Sequence, residues 1–133
     1  MKSTVIAFTT ALALGAAAIP GYAHHSFAAE FDSTKPANLT GTVTRVEWQN
    51  PHTYFYIDVK DSKTGKITNY ACEMGSPNGL IAQGWTRDYL KVGMVVTMVG
   101  TFARDGSAKA NARAVTSADG RKLGTASSQK TTP

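Results

Sequence analysis

Three histidines supply the imidazole chemistry of this 133-residue chain: His24, His25 and His52. The first two are adjacent and sit where an export signal would be cut. Cleavage after Ala23 would leave His24 with a free amine beside its own ring nitrogen. One further imidazole, from His52, would complete a T-shaped set of three nitrogens. Such a set suits Cu(II), which also heads the affinity order of the divalent first-row metals. His25 is a competing or additional ligand, through a local amine–amide–imidazole chelate. Glu30 and Asp32 could add oxygen ligands or outer acceptors. A plainer reading leaves His24 and His25 in a frayed terminus and makes His52 a strand-end histidine held by a hydrogen bond.

Other groups are weaker candidates. Cys72 and Met74 lie two residues apart, hence on one face of a strand, where two soft sulfurs would favour Cu(I). Small apolar residues that fill a core have the same pattern. Trp48, Tyr54 and Tyr56 could line a groove in which an aromatic surface stacks on a small envelope ligand or a glycan. Enzyme signatures are absent: there is no Gly-x-Ser-x-Gly elbow, no His-Glu-x-x-His helix and no glycine-rich phosphate loop. A Cys72–His52 nucleophile pair would need the fold to join two distant residues. The expectation is a binding module, not an enzyme.

The elements that must position these residues begin with a leader. Met1-Lys2 is a short positive start, and Val5–Ile19 is apolar apart from Thr9, Thr10 and Gly15. Pro20-Gly21-Tyr22-Ala23 supplies a helix breaker and small residues near the cut, so residues 1–23 read as a signal peptide. The apolar run is shorter than the ~20 residues of a membrane span and no second run follows. The expected product is periplasmic or secreted, with no membrane span. Its single cysteine allows no internal disulfide. Loss of Lys2 takes the formal charge from +5 to +4. That mild excess, in an envelope compartment, argues against nucleic acid as a partner.

Residues 24–36 read as an N-terminal arm and residues 37–123 as one domain. Leu39, Gly41 and Val43 alternate with threonines, and the apolar phase then slips to Val46 and Trp48, which predicts a bulge. Asn50-Pro51 ends this strand. Further strands are expected over 53–60, 66–74, 94–104 and 109–117, with turns at Asp61–Gly65 and Asp105–Ser107. Ser76-Pro77 reads as an N-cap followed by proline at the first helical position, opening a short helix over 78–83. Asp119-Gly120 is expected to close a small hairpin through Leu123. From Gly124 to Pro133 the chain is polar and aperiodic, the composition of a disordered tail. Three strands, a short helix and two strands define an all-β fold, an OB-like five-stranded barrel. The alternative is a small antiparallel β-sandwich.

Two stretches carry a family resemblance: His24-His25-Ser26-Phe27 with Glu30-Phe31-Asp32, and Gly41-Thr42-Val43 leading to Trp48-Gln49-Asn50-Pro51-His52. Gly75-Ser76-Pro77-Asn78, Gly84-Trp85-Thr86-Arg87 and Ala110-Asn111-Ala112-Arg113 fit the same pattern. Together they resemble a family of small exported bacterial proteins classed as a domain of unknown function. The resemblance implies an exported β-rich domain and carries no activity with it. Cys72 is not among its hallmark positions.

Overall fold

The computed structural model describes residues 27–128. One helical turn, α1 (Phe27–Glu30), leads into the long strand β1 (Phe31–Glu47). Strands β2 (Tyr54–Lys60) and β3 (Ile67–Glu73) follow, then the helix α2 (Pro77–Ala82). Strands β4 (Val95–Ala103), β5 (Lys109–Ser117) and β6 (Lys122–Thr125) complete the described chain. The sheet order is β3-β2-β1-β4-β5-β6, and β3 also pairs with β5. That extra pairing is parallel, Ala71↔Lys109 through Glu73↔Asn111, and it closes five strands into a barrel. This is the OB-like architecture, with a sixth strand appended to β5.

Strand β1 alternates buried and exposed residues through Leu39, Gly41 and Val43, as a strand with one face on a core must. Its register against β2 shifts between Val43 and Arg45, where the apolar phase slips. The bulge turns Val46 and Trp48 back toward the core, against which both pack. Phe55 and Ile57 from β2, Cys72 from β3, Val96 and Met98 from β4, and Ala110, Ala112 and Val115 from β5 fill the interior. Ser76 caps α2 by accepting a hydrogen bond from the Gly79 amide at 3.1 Å, and Pro77 opens its first turn. Leu80 of α2, with Trp85 and Leu90 after it, joins the same core.

Both ends of the barrel domain differ from the sequence expectation. Residues 31–36, expected in the arm, are the first part of β1, pairing Phe31 with Ala103 and Pro36 with Thr101 across a bulge. Burial of the Phe31 ring draws this polar, proline-ended stretch onto the sheet. The chain from Gly124, expected as the start of a disordered tail, is instead held as far as Ser128. Gly124 and Thr125 belong to β6, the Trp85 indole donates to the Thr125 carbonyl at 2.8 Å, and Ala126 is fully buried. Main-chain bonds from the Gly75 amide to the Ala126 carbonyl and from the Ala126 amide to the Arg113 carbonyl fasten it further. These are tertiary contacts, invisible to local periodicity.

Candidate functional site

His52 closes the β1–β2 loop, just after the cis Asn50-Pro51 bond. The next residue fixes its backbone: the Thr53 amide donates to the Gly75 carbonyl, and the Met74 amide donates to the Thr53 carbonyl. The ring is partly exposed, and its Nδ1 lies 3.3 Å from Glu73 Oε1. The carboxylate of Glu73 is only 2 % exposed. A buried charge must be paired and hydrogen-bonded to persist. Here the Tyr54 hydroxyl donates to Glu73 Oε2 at 2.7 Å and the Lys109 ammonium lies 3.3 Å from the same oxygen. Lys109 also binds Glu30 of α1.

The topology explains why these residues meet. Tyr54 is the cross-strand partner of Glu73 on β2, and Lys109 lies on β5 at the parallel seam. Successive strand residues face opposite sides, so Cys72 enters the core while Glu73 stands on the outer face. The cluster therefore straddles the β2–β3–β5 wall, between the β1–β2 and β4–β5 loops. In OB-like barrels the strand 2–3 face and these two loops are the usual ligand-binding region.

Burial, with the Glu73 hydrogen bond and charge, pushes the Tyr54 phenol up to about 12. Burial works against the Lys109 ammonium, yet its bond to Glu30 and the surrounding negative charge raise its pKa. A phenol whose folded pKa lies above its unfolded value adds stability below that unfolded value, about 10. The contribution is lost as pH rises through about 12. Absorbance titration of the five tyrosines should thus contain a late-ionising phenol that Tyr54→Phe removes. An unchanged alkaline limb in that variant would contradict the assignment.

The structure separates the other candidates. His24 and His25 lie outside the described residues. Tyr54 and Tyr56 stand on the outer face of β2 with ring centroids 6.5 Å apart. The Tyr56 ring is covered by the Arg45 guanidinium at 3.9 Å, and its hydroxyl donates to Glu47. Trp48 packs against the core at the loop, with Arg87 5.3 Å from its ring. Trp48 Nε1 and Thr53 Oγ1 are buried with no hydrogen-bond partner among the described residues. Burial pushes the Cys72 thiol up to about 12, which keeps it protonated and a poor nucleophile. Facing the core, it is not brought to His52; Met74 is buried as well. Asp32 pairs with Arg104 at 3.6 Å and Lys35 at 3.9 Å, while Thr34 hydrogen bonds chiefly hold its pKa below the usual value.

Sequence reasoning missed Glu73 and Lys109. The phase of β3 does put Glu73 on the face opposite Cys72, but there His52, Tyr54 and Lys109 gather around it. Among the described residues, no three His, Cys, Asp or Glu side chains converge on a point that could hold a metal ion.

The fold and this cluster define a small closed β-barrel with a buried, triply contacted carboxylate on its outer wall. Residues 12–112 match the family of unknown function DUF6152, and the chain belongs to that family. No curated protein and no solved structure matches it.

Proposed function

We propose that the protein is an exported metal-binding module that holds copper through the amine and ring of His24 and through Nε2 of His52, with His25 as an additional ligand. The observation that carries the reading is the His52–Glu73 contact. Histidines that bind metals commonly donate their second ring nitrogen to a carboxylate, which fixes the tautomer and strengthens the ligand. A proton on Nδ1, 3.3 Å from Glu73 Oε1, would leave the lone pair of the neutral ring at Nε2. The second support is the path of the chain. Glu30 binds Lys109, which contacts the carboxylate that holds His52. His24 precedes Phe27, the first residue of α1, by three residues, a tether that spans up to ~10 Å when extended. The amine exists only if the leader is removed after Ala23.

The test uses protein expressed with its own leader and its terminus established by mass spectrometry. Cu(II) titration by calorimetry and EPR should find one nitrogen-rich tetragonal site. His52→Ala should weaken binding by roughly 100-fold, at least the loss seen when only an outer partner of a ligand is removed. Equal affinity in the two proteins would reject the three-nitrogen site.

The second reading takes the histidine arm as structural and the outer face as a docking surface for a small envelope ligand, a glycan or a protein. The paired Tyr54 and Tyr56 rings favour it. It requires ligand binding that responds to Tyr54→Ala and ignores His52→Ala.

A further inference from the structure

Glu73 uses its two oxygens differently: Oε1 faces the imidazole of His52, whereas Oε2 receives Tyr54 and Lys109. Lys109 in turn reaches Glu30, so one ammonium joins a carboxylate of the α1 turn to the carboxylate that faces the ring. The same ammonium lies 5.6 Å from the Phe31 ring centroid and 5.4 Å from that of Tyr54. Arg104, at the other side of the β4–β5 turn, grips the same turn of chain without touching Glu73. Its Nε donates to the Ala28 carbonyl at 3.1 Å, its Nη1 pairs with Asp32, and its backbone amide donates to the Glu30 carbonyl at 2.8 Å.

We infer that Lys109 is a positioning residue that latches the segment following His24 and His25 onto the barrel and, through Glu73, sets the tautomer and orientation of His52. The copper consequence rests on the reading proposed above; the latch does not. Among the described residues Lys109 pairs with Glu30 and Glu73 and not with His52, so it would act on metal affinity through the two carboxylates. An arginine in its place would still carry a cation with donors for both carboxylates, whereas methionine would keep the length and lose the charge.

Metal-free protein decides the latch. Lys109→Met should speed hydrogen exchange at the amides of residues 28–31 and, by nitrogen NMR at mildly alkaline pH, shift His52 away from the Nδ1-protonated tautomer. Lys109→Arg should restore both signals. Circular dichroism would establish that each variant keeps the barrel. Exchange and tautomer unchanged in Lys109→Met would overturn the inference. So would a loosened arm with an unmoved tautomer, because the two ends would then be uncoupled. In copper-loaded protein, Lys109→Met should bind roughly tenfold more weakly with an altered EPR hyperfine pattern, and Lys109→Arg should recover it. Copper binding that ignores His52→Ala rejects the metal reading alone and leaves the metal-free result standing.

Discussion

Gly100→Ala should lower the thermal midpoint of the barrel by at least roughly 15 °C, corresponding to about 3 kcal/mol in a domain of this size. A Cβ at this position would lie 1.7 Å from the Asn111 carbonyl oxygen and 2.9 Å from its carbon. Both atoms are backbone, on the strand to which Gly100 is paired, so no rotamer change relieves the contact. The register of β4 against β5 shifts between Val99 and Gly100, leaving Arg113 bulged and pressing the two strands together. Separating them would undo the pairing that leads into the barrel seam. Gly106→Ala is the control. Its φ of 78° sits in open space, so the change adds only conformational strain, about 1 kcal/mol. Similar midpoints for the two variants would show that the close approach at Gly100 is not required.

The second large effect is expected at Glu73. Truncation to alanine removes the acceptor of Tyr54, the partner of His52 and one of the two anions of Lys109. Breaking a buried ionic contact leaves polar groups without compensation, which costs several times a surface pair. Lys109 retains Glu30, which moderates the loss to about 3 kcal/mol. Glu47→Ala supplies the comparison. Its carboxylate pairs with Arg45 at 3.2 Å but is far more exposed, and such pairs contribute at most about 1 kcal/mol. Urea unfolding of both variants separates the cases; equal midpoints would mean that burial of Glu73 confers no special role.

These expectations depend on features of unequal legibility. The barrel was readable because its signals are local. The slipped apolar phase between Val43 and Val46 is the observed bulge, and Ser76-Pro77 starts the helix as its residue types require. The turn glycines at Gly65, Gly106 and Gly120 all adopt positive φ where the turns were expected. What escaped was non-local. Ser33–Pro36 has no strand signal, and joins β1 because Phe31 is buried beyond it. Thr125 and Ala126 are held by Trp85, Gly75 and Arg113, none of them near in sequence. In the site, His52 was found by its residue type and its place after Asn50-Pro51. Glu73 carries no local motif, and the parallel β3–β5 contact is what brings Lys109 beside it.

That contact also has a thermodynamic consequence. Loops ordinarily open at far lower free energy than the strands they join. Around His52 the retaining groups are Glu73 and Lys109, placed on the two strands whose pairing closes the barrel. Parting that seam would therefore displace the carboxylate that faces the ring together with the barrel. The partner of this surface-loop histidine thus shares the cooperativity of the core, and Glu73 should keep its place until the whole domain melts.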